Sequence, residues 1–125
     1  MKRAILTGFG GFHVGVIPKA SLGSTGNVSI TGLDFTPKLV RFTLLPTDGT
    51  TVMNMAHGAM TPSSQFFTCY LYNARQSGTD AAFAWMSNST TLALKFSYVS
   101  MDSNGFTINV STASSTFDVA FEAYA

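Results

Sequence analysis

Apolar and polar residues alternate with a period of two along most of this chain. The alternation is strict over residues 106–111, and over 117–123 every odd position is apolar while Asp118 and Glu122 occupy the other side. Residues 40–44 and 92–98 repeat the pattern. Successive side chains of a β-strand point to opposite faces of a sheet, so one face of each strand packs on a core and the other meets solvent or a neighbour. The pattern predicts an all-β protein.

Weaker strand signals and turn signals complete the predicted fold. Strands at 12–18, 28–31, 51–57, 66–73 and 81–86 bring the total to eight or nine, although 79–86 could instead form a short helix. Residues 102–105 (Asp-Ser-Asn-Gly) predict a hairpin turn with Asn104 and Gly105 available for positive φ, and 23–27, 47–50 and 111–116 are further breaks. Short strands with regular turns predict an antiparallel β-sandwich of jelly-roll type.

The first 26 residues differ from the remainder. They contain six glycines and little alternation, which is typical either of an extended arm that reaches a neighbouring subunit or of an edge strand with loose flanks. We therefore divide the chain into an arm or edge segment, 1–26, and a sandwich domain, 27–125. Within the segment, Thr7, Phe9 and Phe12 are the predicted interface residues. The total length of 125 residues fits one such domain.

The charge content excludes several classes of partner. Seven Lys and Arg face six Asp and Glu, so the chain lacks the basic excess of nucleic-acid-binding proteins. No 18-residue apolar run predicts a membrane helix, and the glycine-rich stretch after Met1 argues against a secretory signal. Thirteen charged residues cannot cover a folded surface of about 6,500 Å². Large uncharged areas must remain, and they predict assembly.

The residues that carry catalysis are few and scattered. The acids Asp118 and Glu122 share one strand side but are typical of a solubilising face, and His13 and His57 lack any metal-ligand spacing. The single cysteine, Cys69, is expected to be a buried apolar thiol. We therefore expect no enzyme, no cofactor and no metal site. A pocket that joined a histidine to an acid would favour the enzyme alternative.

Three aromatic residues carry an alternative function. Tyr70, Tyr72 and Trp85 could form a sugar-stacking surface, because aromatic rings suit the apolar faces of carbohydrates. Packing within the core and on the sheet faces is the competing explanation, since strands recruit aromatic residues for that purpose.

Two stretches resemble a known group of proteins. Residues 32–42 (GLDFTPKLVRF) resemble a phrase found in small bacteriophage virion proteins, and residues 101–110 with 119–125 resemble their closing segment. The resemblance implies a compact β-sandwich that serves as a capsid decoration, tail or fibre component and associates as an oligomer. The closing pattern is also similar to H-type lectin domains, which are trimer-forming sugar-binding sandwiches. Those lectins have a Trp in the final strand, where this chain has Phe121.

These observations lead to one leading expectation and one alternative. The leading expectation is a non-enzymatic structural protein of the virion, whose partners are itself, as a trimer or other homo-oligomer, and other virion proteins. The alternative is a lectin-like module that recognises a host glycan. In both cases we expect the sandwich core and its turn to be defined by Phe35, Pro37, Val40, Phe42, Gly105 and Phe106.

Overall fold

The computed structural model describes residues 11–46 and 54–125. These residues form ten strands and one short 3-10 helix. The strands are β1 (Phe12–Ile17), β2 (Gly26–Ile30), β3 (Leu39–Leu45), β4 (Asn54–Thr61), β5 (Ser64–Leu71), β6 (Ala74–Gly78), β7 (Phe83–Met86), β8 (Leu92–Asp102), β9 (Gly105–Thr112) and β10 (Asp118–Tyr124), and the 3-10 helix is Lys19–Leu22.

The strands form two antiparallel sheets. Sheet A has six strands in the order β1-β10-β3-β4-β5-β6, and sheet B has four in the order β2-β9-β8-β7. Pairing of the first strand with the last, and of the second with the next to last, wraps the chain as in a jelly roll. By contrast, β3 to β6 and β7 to β9 are meanders of sequential neighbours. The predicted antiparallel β-sandwich is confirmed.

Residues 11–46 and 54–125 form one strand more than the upper expectation of nine. The additional strand is β6, in which Ala74 is followed by Arg, Gln, Ser and Gly, so no apolar alternation marks it. Its position is set instead by the hairpin that joins it to β5, with Leu71 opposite Ala74. The ambiguous segment 79–86 contains strand β7 and no helix.

The core lies between the inward faces of the two sheets. The ring of Phe42 from sheet A is 4.9 Å from that of Phe96, 5.9 Å from that of Phe106 and 6.3 Å from that of Phe83, all from sheet B. This aromatic cluster holds the two layers together, because each ring buries a large apolar area. Of the predicted core residues, Val40, Phe42, Phe106 and Pro37 are buried and Phe35 is partly buried against the core.

The predicted hairpin at 102–105 is confirmed, but the role of its glycine differs from the expectation. Strand β8 ends at Asp102 and β9 begins opposite it at Gly105. In the described part of the chain, positive φ occurs at Tyr72 and at three other glycines, not at Asn104 or Gly105. Gly105 is required because any Cβ there would collide with the backbone carbonyl oxygen of Ile30.

Only part of the segment 1–26 is described. Strand β1 forms one edge of sheet A and pairs with β10 along its whole length, from Phe12 opposite Tyr124 to Ile17 opposite Val119. Thr7 and Phe9 lie outside the described residues, as do the predicted turn 47–50 and the start of the strand predicted at 51–57. The division between 1–26 and 27–125 stays a prediction.

Candidate functional site

Exposed apolar side chains collect on the outer face of sheet A, the face that points away from sheet B. Within residues 11–46 and 54–125, eight large hydrophobic residues are exposed. Two of them, Tyr72 in the β5–β6 turn and Val99 in β8, lie elsewhere. The outer face of sheet A carries the other six, which are Phe12, Val14 and Val16 from β1, Met55 from β4, and Phe66 and Tyr70 from β5.

Strand β1 places apolar groups on both of its sides. Phe12, Val14 and Val16 are more than half exposed on the outer side. On the inner side the ring of Phe121 covers Gly15 so closely that a Cβ at position 15 would lie 2.6 Å from a ring carbon. The same ring stacks against the His13 ring at a centroid distance of 6.0 Å. The strand is therefore an uncharged sheet edge with a bare outer stripe, a type of edge that soluble proteins seldom leave uncovered.

Two opposite charges lie near the middle of the same face. Arg41 on β3 is directly opposite Glu122 on β10. The two residues do not form an ion pair with each other. The one ion pair among the described residues joins Lys95 and Asp80, at 2.6 Å. An open groove of about 380 Å³ lies beside them, above Ala59. Its lining includes Arg41, Glu122, Leu39, His57, Ala59 and Phe66.

This groove contains a histidine and an acid, the combination that would favour an enzyme. His57 lies on β4 and Glu122 on β10, and strand β3 separates them. Two strand spacings amount to about 10 Å. The two side chains form no hydrogen bond with each other in the described structure. The groove brings the two groups to one face without direct contact between them.

The outer face of sheet B has the opposite character. Its hydroxyl, amide and carboxylate groups bind one another: Thr107 donates to Asp102 at 2.7 Å, and Ser100 donates to the same carboxylate at 2.7 Å. Asn109 donates to Asn27 across the β2–β9 pair at 2.9 Å. This face is polar and its groups satisfy one another, so it suits contact with water.

The three residues predicted to stack on sugar do not lie together. Tyr70 is 38% exposed on the outer face of sheet A, and Tyr72 is 69% exposed in the turn that follows β5. Trp85 lies on β7 of sheet B, is only 5% exposed, and packs against the ring of Phe117 at 4.8 Å. A buried indole offers no face to a ligand, so the inclusion of Trp85 in a sugar surface is wrong.

A polar cleft that the sequence did not reveal lies between the β4–β5 hairpin and β8. Its volume is about 450 Å³, and it is lined by Thr61, Pro62, Ser63, Ser64, Gln65, Thr79 and Tyr98. The Gln65 side-chain oxygen accepts a hydrogen bond of 2.9 Å from the backbone N–H of Tyr98, which holds the two elements together. Hydroxyl and amide groups without charge suit a neutral polar ligand.

The single thiol is removed from solvent, as predicted. Cys69 is fully buried on β5, on the same inward side as Phe67 and Leu71. Burial raises the pKa of the Cys69 thiol above its ordinary value of 9.0, partly offset by a backbone hydrogen bond at Gln76. A buried, protonated thiol is a poor nucleophile.

Metal-ligand clusters and membrane-spanning helices are both absent from the described ranges. Residues 11–46 and 54–125 contain no group of three or more His, Cys, Asp or Glu side chains placed to hold a metal ion. In the same ranges no helix has the length and apolar character needed to cross a membrane.

The sequence matches no protein-family model and no curated protein. The crystal structure of the tailspike protein of an Acinetobacter phage aligns with 90% of this chain at 12% sequence identity, with a TM-score of 0.38. The alignment covers 21% of that protein, so this chain spans about a fifth of its length.

Proposed function

We propose that this chain is a non-enzymatic structural protein of a bacteriophage particle, which acts by packing the outer face of sheet A against a neighbouring subunit. The mechanism is burial of an apolar surface that is repeated by the symmetry of the particle, so that contacts of modest strength act together.

The observation that carries this proposal is the uneven distribution of exposed apolar residues. Among the described residues, six of the eight exposed large hydrophobic side chains lie on one face, whereas the opposite face is polar and internally hydrogen-bonded. The six form two groups, one on β1 and one on β4 and β5, on either side of the strands that carry Glu122 and Arg41. Exposed apolar groups that share one face are typical of an interaction site. Strand β1, which has no charged residue, borders that face and pairs only with β10 among the described residues.

The resemblance of two stretches to small virion proteins supports the choice of a phage particle as the setting. Residues 32–42 and the closing segment resemble small virion proteins, and the structure places Leu39, Arg41 and Tyr124 from these stretches next to one another on the outer face of sheet A. The resemblance thus includes residues of the proposed packing surface as well as residues of the core.

The proposal is tested by looking for the chain in purified phage particles. Particles from a phage that encodes this chain are banded on a density gradient, and the chain is quantified by mass spectrometry. We expect a fixed number of copies per particle, lost when Val14 is replaced by Lys and retained when Val99, an exposed valine of sheet B, is replaced by Lys. A chain that remains in the soluble fraction would contradict the proposal.

A second candidate function is recognition of a host glycan. The observation that favours it is Tyr72, which is the one described non-glycine residue with positive φ, at 54°, and which is 69% exposed. An aromatic residue held in an unfavourable backbone conformation is a feature often found at binding sites. Its neighbour Tyr70 and the uncharged cleft near Tyr98 are further surfaces that suit a sugar.

A glycan array with the purified protein tests this candidate. Tyr72→Asn is the informative variant, because Asn tolerates positive φ and preserves the turn while it removes the ring. Binding that Tyr72→Asn abolishes would favour the lectin-like function. An array without reproducible binding would leave the structural role as the only supported proposal.

A further inference from the structure

One cross-strand row on the outer face of sheet A is complementary to itself. The row runs over five neighbouring strands and consists of Val14, Glu122, Arg41, Ala59 and Phe66, which lie opposite one another in the sheet register. From β1 to β4 the row presents a protruding apolar group, an acid, a base and a small apolar group. If a second copy of this row is turned end to end and laid on the first, each acid faces a base and each protruding apolar group faces a small one.

We propose that a second copy of this chain packs face to face on sheet A, about a two-fold axis that runs along the strands between β10 and β3. The axis places Glu122 of each copy over Arg41 of the other, and Val14 of each copy over Ala59 of the other. This inference rests on the packing role proposed above and names the partner as a second copy.

The charges favour a second copy over an unrelated partner. Arg41 and Glu122 are direct cross-strand neighbours that form no ion pair within the chain. A two-fold axis between them supplies each with an opposite charge from the other copy, so the interface contains two such pairs. Isologous interfaces have this reciprocal form, in which residue i contacts residue j and j contacts i. An apolar partner would instead leave two buried charges without compensation, which is costly.

The shape of the face agrees with the charges. The small side chain of Ala59 leaves the open groove between Leu39 and Phe66, whereas Val14 on the neighbouring edge is 59% exposed. The axis directs the β1 stripe of each copy into the groove of the other. In the rows on either side it places Tyr124 over Leu39, which is apolar on apolar, and Ala120 over Thr43, which is small on small.

The area of the facing strands is that of a weak interface. The axis superposes four strands, β1, β10, β3 and β4, and four strands spaced by about 4.8 Å, each about seven residues long at about 3.3 Å per residue, cover about 440 Å². Two such faces bury about 890 Å², a size typical of weak, reversible association. Sheets that pack face to face keep their strands within about 30° of each other, which preserves the facing rows near the axis.

Charge reversal tests the arrangement through sedimentation velocity. The wild-type protein is expected to form a dimer. Arg41→Glu places acids opposite Glu122, and Glu122→Arg places bases opposite Arg41, so each variant alone should raise the dimer dissociation constant by about tenfold or more. The double variant Arg41→Glu with Glu122→Arg restores complementarity and should return the constant to within about threefold of the wild-type value.

A mixture of the two single variants is the sharpest form of this test. One copy then has acids at both positions and the other has bases at both, so the mixture should form a heterodimer although each variant alone is a monomer. Circular dichroism of each variant verifies that it is folded. Single variants that dimerise like the wild type, or a mixture that stays monomeric, would overturn the two-fold packing.

The two proposals fail in distinguishable ways. A chain that is monomeric in solution but present in purified particles contradicts the two-fold dimer and leaves the virion role intact. A chain that forms the charge-dependent dimer but is absent from particles supports the two-fold packing and contradicts the virion role.

Discussion

Gly58 of β4 lies directly beneath the backbone carbonyl of Ala82, the residue that leads into β7. A Cβ at position 58 would collide with that oxygen, and Ala82 is held in place because its N–H donates to the carbonyl of Phe96 at 2.9 Å. The two sheets approach each other closely at this point. The absence of a side chain at position 58 is what permits that approach.

Replacing Gly58 by Ala should therefore lower the free energy of unfolding by about 3 kcal/mol, because a fixed backbone atom must move. Gly23→Ala is the matched control, since its Cβ would meet a side-chain carbon of Ser115 at 3.3 Å. We expect a loss below about 1 kcal/mol there. Urea unfolding followed by circular dichroism measures both, and equal stabilities of the two variants would contradict the close approach.

Phe42 is the centre of the aromatic cluster that joins the sheets. Phe42→Ala removes a ring that contacts Phe83, Phe96 and Phe106, and should cost about 3–5 kcal/mol. The control Val99→Ala, at a residue 41% exposed on sheet B, should change stability by less than about 0.5 kcal/mol. The denaturant midpoints of the two variants measure their difference in stability. A Phe42→Ala protein as stable as the Val99→Ala control would contradict the central position of Phe42 in the core.

Cys69 should be inert toward thiol reagents in the folded protein. Burial raises the pKa of its thiol, so the thiolate that reacts with Ellman's reagent is scarce and inaccessible. We expect complete reaction in denaturant and almost none in buffer. The thiol pKa is higher in the folded protein than in the unfolded chain. The contribution of Cys69 to the free energy of unfolding is therefore fully present below the unfolded thiol pKa and is lost as the pH rises through the folded thiol pKa. Rapid labelling of the native protein would contradict this placement.

Asp80 should titrate below its ordinary pKa of 3.8, chiefly because its carboxylate accepts a hydrogen bond from the Lys95 ammonium at 2.6 Å. The resulting stabilisation is present above the unfolded pKa and is lost as the pH falls through the folded value. An NMR titration of the Asp80 carboxyl carbon measures the shift. In the Lys95→Met protein the pKa should return toward 3.8, and an unchanged pKa would exclude the hydrogen bond as its cause.

The alternation of residue types predicted the inward side of the strongest strands correctly. Phe106, Ile108 and Val110 are buried on β9, and Val119, Phe121 and Ala123 on β10, because a single buried face imposes a period of two. Strand β6 escaped prediction because it is a polar edge strand that is held by its hairpin partner and buries little.

The candidate site could be predicted only in part. Phe12, predicted as an interface residue, is 58% exposed on the edge strand, and its contact with a neighbour stays a prediction. Met55 and Phe66 lie far away in sequence and share the outer face with Phe12 only through the strand order of sheet A, three and four strands away. Trp85 was misassigned because alternation does not reveal which apolar strand is covered on both faces, and all four residues of β7 are buried.

The central claim, that the outer face of sheet A is an assembly surface, is tested most directly by sedimentation equilibrium of three proteins: the wild type, Val14→Lys and Val99→Lys. The two valines are exposed to a similar degree, 59% and 41%, but lie on opposite sheets. We predict that the wild type and Val99→Lys associate at micromolar concentrations while Val14→Lys sediments as a folded monomer. A lysine at position 14 brings an ammonium into the apolar contact and, directly opposite Glu122 in the sheet, competes with Arg41 of the other copy for that carboxylate. Association of Val14→Lys that equals that of Val99→Lys would contradict the claim.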